Sequence, residues 1–139
     1  MLLFVYGSLK RDEYNHGRFG FNNHAHYLST AESSEIQLYQ IPDVTYPHAV
    51  LEHNQKAAKG EVYQLDLSNE ATAEMFSNIL LMELNVGYCL VEIRYTIPQS
   101  LLQGTAFAFV ATQQLAQLLH DQIYQAIPIT EWKGPRHDA

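Results

Sequence analysis

The sequence contains one cysteine, Cys89, among 139 residues. A single cysteine excludes an intramolecular disulfide and a zinc site with several cysteine ligands. Basic residues are also few, because eight lysines and arginines are set against fifteen aspartates and glutamates, for a formal net charge of −7. An acidic chain repels the phosphate backbone of nucleic acids, so we expect no nucleic-acid partner.

Long apolar runs are missing as well. No stretch approaches the roughly 20 apolar residues that a membrane-spanning helix requires, so we expect no membrane association. The apolar run at residues 2–6 is too short for a signal peptide, and no basic residue precedes it. These features lead us to expect a cytoplasmic location.

Apolar residues are nevertheless abundant. They make up 47% of the chain, which is enough to offset the entropy of ordering and excludes a disordered protein. The length matches one domain. We therefore expect a single domain over residues 1–139, with residues 128–139 as a C-terminal tail.

Short β-prone segments dominate the chain. Residues 2–6 are continuously apolar and end at Gly7, which predicts a strand buried on both faces. Residues 10–18 have no apolar period and are expected to be a loop or a weak helical turn. Further extended structure is predicted within residues 26–41, 48–52, 60–67, 89–97 and 105–110. The expected total is five to seven strands.

Two segments carry apolar residues at helical spacing. The first predicts a helix over residues 69–83 with Ser68 as its N-cap. The second predicts a helix over residues 113–127 with Thr112 as its N-cap. Only one helix lies between the strands, so the pattern favours an α+β fold. We expect a small mixed β-barrel or a strongly curved sheet with flanking helices.

The turn at Tyr6, Gly7, Ser8 and Leu9 directly follows the first strand. Glycine allows close approach of the backbone to a ligand, and successive N–H groups can bind an oxygen-bearing group. The segment lacks the glycines and lysine of a phosphate-binding loop and the frame of a nucleophile elbow. On these residues alone, a plain turn is favoured over a binding loop.

Glu83 ends an otherwise apolar helical run, residues 76–82. A carboxylate beside apolar side chains is poorly solvated, and its pKa rises toward that of a useful general base. A solvent-facing glutamate at a helix end is the alternative, and position alone favours it.

The remaining candidates are weaker. His24 and His26 would share one face of a strand and could bind zinc with a third ligand, although an exposed pair fits better. Cys89 is expected to be a small buried side chain rather than a nucleophile. A local basic region (Lys10, Arg11 and Arg18) could attract a carboxylate or be a solvated face. Trp132 is expected to pack the tail onto the body.

Several of these segments together resemble a known family. Residues 3–11 (LFVYGSLKR) resemble the opening of γ-glutamylcyclotransferase-like proteins, also called AIG2-like. Residues 46–50 (YPHAV) resemble that family's Tyr-Pro-Ala segment, and residues 59–63 (KGEVY) its Gly-Glu-hydrophobic-Tyr strand. Glu83 then falls where the family has its catalytic acid/base, and Tyr88 follows it. The segment around Glu83 differs from the family's usual Leu-Asp-x-Leu-Glu-Gly in having no aspartate and no following glycine.

The resemblance implies an enzyme that converts a γ-glutamyl amide to 5-oxoproline and a free amine. It implies Glu83 as the catalytic acid/base, no metal or cofactor, and substrate binding by Tyr6, Gly7, Ser8, Leu9 and Tyr88. The small-molecule substrate could be a γ-glutamylamine, a γ-glutamyl amino acid, a crosslink fragment or glutathione. A non-catalytic small-molecule-binding or regulatory domain on the same fold is the alternative.

Overall fold

The computed structural model describes residues 1–42, 44–120 and 125–134. The described strands are β1 (Leu2–Val5), β2 (His26–Ser33), β3 (Ile36–Gln40), β4 (His48–Leu51), β5 (Ala58–Gln64), β6 (Tyr88–Ile97), β7 (Leu102–Ala111) and β8 (Ile127–Ile129). The described helices are α1 (Tyr14–Arg18), α2 (Phe21–His24), α3 (Glu70–Asn85) and α4 (Gln113–His120).

Five of the strands close into a barrel. Their order around the barrel is β1-β5-β2-β6-β7, and β1 closes it by pairing antiparallel with β5 and parallel with β7. Strands β4, β3 and β8 form a separate antiparallel sheet in that order. The predicted α+β class and mixed barrel with flanking helices are confirmed.

Strand β1 is buried on both faces, as its continuous apolar sequence predicts. Leu3 and Val5 belong to a buried cluster that includes Ile79 of α3. Phe4 and Tyr6 point the other way, into a second cluster formed by barrel strands and the three-stranded sheet. The pairing of β1 with two neighbours also leaves no open edge, so the residues that follow β1 leave from the centre of the fold.

The eight described strands exceed the predicted five to seven. Residues 26–41 contain two strands, β2 and β3, rather than one extended segment. Strand β8 begins at Ile127, the last residue of the second predicted helix, and continues into the predicted tail. Ile129 pairs with Leu38, and Ile127 pairs with Gln40. The partner strand, β3, is about ninety residues away in sequence, so local sequence patterns cannot predict this pairing.

Helix α3 begins at Glu70, one residue later than the predicted start at residue 69. Asn69, not Ser68, is the N-cap, and its side chain accepts a hydrogen bond of 3.1 Å from the N–H of Thr72. Ser68 instead donates its hydroxyl hydrogen to Asp66. The helix then runs to Asn85, beyond the predicted end, and Gly87 with a φ of 92° permits the turn into β6.

Helix α4 begins at Gln113 as predicted, but the predicted helix does not extend to Ile127, which lies in β8. Residues 121–124 of that prediction, and residues 135–139 of the predicted tail, lie outside the described residues. Residues 10–18 include the short helix α1. Within the described ranges, no helix combines the length and apolar character needed to span a bilayer.

Candidate active site

One pocket, with a volume of about 160 Å³, opens beside the turn that follows β1. Six residues that the sequence singled out line it together: Tyr6, Gly7, Ser8, Leu9, Glu83 and Tyr88. The turn comes from the end of β1, Glu83 from the last turn of α3, and Tyr88 from the start of β6. Glu83 therefore faces the same cavity as the glycine turn, rather than open solvent.

The periodicity of α3 explains why Glu83 reaches this pocket. Met75 and Ile79 are buried, and Glu83 follows Ile79 by four residues, so all three lie on one face of the helix. Met82 and Val86, also on this side, line the pocket beside Glu83. The helical spacing that buries Met75 and Ile79 therefore also places the carboxyl of Glu83 against an apolar wall.

Burial in this wall changes the chemistry of Glu83. It raises the pKa of the carboxyl from 4.5 to about 7. Among the described residues that line the pocket, Glu83 is the only charged side chain. A carboxyl with this pKa can accept a proton and return it near neutral pH, as a general acid/base must.

Each carbonyl group of the turn at residues 7–9 contacts a partner within the protein. The carbonyl of Gly7 accepts from the N–H of Lys10 at 3.0 Å, and that of Ser8 from the N–H of Asn15 at 2.8 Å. The carbonyl of Leu9 lies 2.8 Å from Nδ1 of His16. In a trans peptide the C=O and the next N–H point in opposite directions. The N–H groups of Ser8 and Leu9 therefore point away from these partners.

Close packing against Pro47 requires a glycine at position 7. A Cβ at this position would lie 2.9 Å from Cγ of Pro47, closer than two carbons can pack. The carbonyl of Pro47 accepts a hydrogen bond of 3.1 Å from the hydroxyl of Tyr88. Gly7, Pro47 and Tyr88 thus form one continuous part of the pocket wall.

Two of the tyrosines that line the pocket, Tyr6 and Tyr88, are held in their protonated state. Tyr6 donates its hydroxyl hydrogen to the carbonyl of Phe109. Burial raises the pKa of Tyr6 well above its usual value, and nearby Tyr88 and Glu83 raise it further. Burial, Glu83 and Tyr46 likewise raise the pKa of Tyr88. Both hydroxyls are used as donors to backbone carbonyls, so these side chains shape the wall around Glu83.

Comparison with known protein families gives a match over most of the chain. A family model described as gamma-glutamyl cyclotransferase, AIG2-like, matches residues 3–133. The chain belongs to this family. The resemblance inferred from residues 3–11, 46–50 and 59–63 is thereby confirmed.

Solved structures show the same fold at low identity. An AIG2-like protein from Mus musculus is 16% identical with a TM-score of 0.68, over 99% of this chain and 97% of that one. An uncharacterized protein from Pyrococcus horikoshii is 24% identical with a TM-score of 0.57, over 89% and 98% of the two chains. Allophanate hydrolase from Kluyveromyces lactis is 18% identical with a TM-score of 0.64, over 96% of this chain but 20% of the hydrolase. No curated protein matches the sequence significantly.

The pocket of this AIG2-like chain also contains residues that the sequence did not single out. Tyr14 and Asn15 of α1 line it, as does Thr45. Asn15 is only 8% exposed, although it lies in a polar segment with no apolar period. Nothing local signals its burial, because the position of α1 over the turn depends on the whole fold.

The family's Gly-Glu-hydrophobic-Tyr strand anchors the far end of the turn. Glu61 accepts hydrogen bonds from the backbone N–H of Arg11 at 2.8 Å and from its Nε at 3.3 Å. The hydroxyl of Tyr63 donates to the same carboxylate at 3.1 Å. Lys10 donates to the carbonyl of Trp132 at 2.6 Å. Two members of the predicted basic region therefore bind other parts of the protein.

The remaining sequence candidates fall elsewhere. His24 ends α2 and His26 begins β2, so the expectation that they share one strand face is wrong. In the described parts of the chain, no three histidine, cysteine, aspartate or glutamate side chains are grouped so as to hold a metal ion. Cys89 is half-buried in β6. Trp132 is 2% exposed and packs the C-terminal segment onto the body, as predicted.

Proposed function

We propose that this chain converts a γ-glutamyl amide to 5-oxoproline and a free amine. One observation carries the proposal: a single small pocket brings the Glu83 carboxyl, with its pKa near 7, beside the glycine turn at Tyr6–Leu9. Membership of the AIG2-like gamma-glutamyl cyclotransferase family supports the same reading. The proposed substrate is a small molecule in the cytoplasm.

The reaction is intramolecular. The α-amine nitrogen attacks the γ-carbonyl carbon of the same molecule, a C–N bond of the lactam forms, and the original amide C–N bond breaks. No water is consumed. Because attacker and target are already joined, the protein mainly holds the substrate in a folded shape. The proposal needs neither a metal ion nor a cofactor.

Glu83 acts as the proton carrier in this mechanism. The substrate arrives with a protonated α-amine, which cannot attack until a proton is removed. Ionised Glu83 takes that proton, and the resulting carboxylic acid gives it to the nitrogen of the leaving amine. The attacking nitrogen loses a second proton as the lactam forms, and this proton passes through the same carboxylate to the released amine, which leaves as an ammonium ion. An ordinary glutamate would accept this proton less readily, so its burial beside Met82 is part of the mechanism.

The glycine turn binds the polar oxygens of the substrate. We assign this role to the N–H groups of Ser8 and Leu9, since the carbonyls beside them are bound on the opposite side. Donors fixed in this way stabilise an oxygen as negative charge develops on it. Tyr88 and Pro47 form the wall that holds the turn in place.

Glu83→Gln tests the assignment. The amide keeps the size of the side chain but cannot accept the proton, so turnover should fall at least about 10²-fold. Substrate binding should change far less, because the loss falls on the transition state. The assay is release of 5-oxoproline from γ-glutamyl-n-butylamine, γ-glutamylalanine, γ-glutamyl-ε-lysine and glutathione.

Glu74→Gln is the matched control, because Glu74 lies on the same helix and is exposed. It should turn over substrate like the parent protein. Equal turnover by parent and Glu83→Gln would remove Glu83 from the mechanism. Binding of γ-glutamyl amides without turnover by the parent would favour the non-catalytic binding domain.

A further inference from the structure

Asn15 is a buried polar side chain in the pocket wall. It is 8% exposed and lines the pocket beside the glycine turn. Its Nδ2 donates a hydrogen bond of 2.8 Å to the hydroxyl oxygen of Ser8, and its backbone N–H donates to the carbonyl of Ser8 at 2.8 Å. Asn15 therefore fixes both the backbone and the side chain of Ser8.

The other polar atom of this side chain has no such partner. Oδ1 of Asn15 is buried and has no hydrogen-bond partner among the described residues. Buried acceptors are almost always paired, since leaving one unpaired is costly. An uncharged acceptor in a substrate pocket is therefore suited to a ligand that brings an N–H group.

The α-amine of a γ-glutamyl amide has N–H groups that could bind this acceptor. Its α-carboxylate and γ-carbonyl are acceptors and suit the N–H groups of the turn, whereas its α-amine is a donor. Glu83 can remove one proton from that amine, and a neutral amide oxygen can hold a remaining N–H without competing for the proton.

We propose that Oδ1 of Asn15 accepts a hydrogen bond from the α-amine of the substrate and orients its lone pair toward the γ-carbonyl carbon. This assignment rests on the proposed function, because it takes the ligand to be a γ-glutamyl compound. Asn15 is thereby a substrate-binding residue that selects for a free α-amine. Its bond to Ser8 links the orientation of the amine to that of the turn.

The test pairs a change in the protein with a change in the ligand. The ligands are γ-glutamyl-n-butylamine and glutaric acid mono-n-butylamide, which lacks only the α-amine. Asn15→Leu removes both polar atoms at similar size. It should lower kcat/KM for the first ligand about 10- to 100-fold, as expected for a lost hydrogen bond to a charged group. The inhibition constant of the second ligand should stay within about twofold.

Two further variants separate binding from folding. Asn15→Asp keeps an acceptor oxygen and should recover most of the discrimination between the two ligands. Ser8→Ala removes the partner of Nδ2 but leaves Oδ1, so it should reduce that discrimination less than Asn15→Leu does. Thermal unfolding of each variant shows whether it is folded under the assay conditions.

The outcomes distinguish this inference from the proposed function. Equal losses of affinity for both ligands in Asn15→Leu, or no preference of the parent for the ligand with the amine, would overturn the role of Asn15. If the parent shows no turnover, calorimetric binding of the two ligands replaces kinetics. A loss confined to γ-glutamyl-n-butylamine would then support Asn15 while refuting catalysis. No binding of either ligand by the parent would overturn both.

Discussion

Glu83→Gln is expected to stabilise the folded protein at neutral pH, although it removes the proposed proton carrier. Burial raises the pKa of Glu83 from 4.5 to about 7, so the folded state disfavours its ionised form. A neutral glutamine of the same size avoids this cost. The pKa difference corresponds to about 3 kcal/mol of unfolding free energy once the group is fully ionised, at about 1.4 kcal/mol per unit.

The size of the effect depends on pH. Between pH 4.5 and about 7 the folded state binds more protons at Glu83 than the unfolded state, so the stability of the parent falls as pH rises. Below pH 4.5 the carboxyl is protonated in both states, and the penalty disappears. The advantage of Glu83→Gln should therefore be near zero at pH 4 and reach its full value by pH 8.

The assay is thermal or urea unfolding of the parent, Glu83→Gln and Glu74→Gln at pH 4 and pH 8. An advantage of about 3 kcal/mol raises Tm by roughly 10 °C in a domain of this size. Glu74→Gln should show no such gain, because Glu74 is exposed. A Glu83→Gln protein that is no more stable than the parent at pH 8 would refute the claim that burial raises this pKa.

Two further predictions concern the pocket. If catalysis requires ionised Glu83, kcat/KM at pH 5 should be about 50-fold below its value at pH 7. A carboxyl with an ordinary pKa would change kcat/KM less than about twofold over the same range. A flat pH profile between pH 5 and pH 7 would contradict the assignment. Gly7→Val should weaken binding of glutaric acid mono-n-butylamide several-fold, since its Cβ displaces Pro47 from the pocket wall, and it should also destabilise the fold by roughly 1–3 kcal/mol through overpacking. Gly17→Val is its control, because a Cβ there meets no atom within 4 Å; unchanged affinity in Gly7→Val would mean that the turn does not shape the pocket.

The strand β1 and the helix α3 show what local patterns reveal. Continuous apolar residues predicted burial of β1 on both faces, and the structure confirms it. Helical spacing predicted α3 to within two residues at its C-terminal end. Such elements can be predicted because the spacing of apolar residues within one short segment indicates both the type of element and its buried face.

The capping of α3 and the strand β8 show where local patterns fail. Ser68 and Asn69 are both good caps, and the choice between them depended on the bond from Ser68 to Asp66. The sequence of β8 resembles a tail, and only its pairing with β3 makes it a strand. A competing local hydrogen bond goes with the first outcome, and a tertiary contact decided the second.

By itself, the sequence determined the fold class and the family, and it singled out the turn, Glu83 and Tyr88 as candidate site residues. These follow from periodicity and from motifs that are contiguous in the chain. Only the tertiary structure decided that Glu83 and the turn share one pocket, that Asn15 is buried with an unpaired oxygen, and that Gly7 must lie against Pro47. Burial and contact between segments forty or more residues apart depend on how the elements pack, and so does the pKa that burial confers on Glu83.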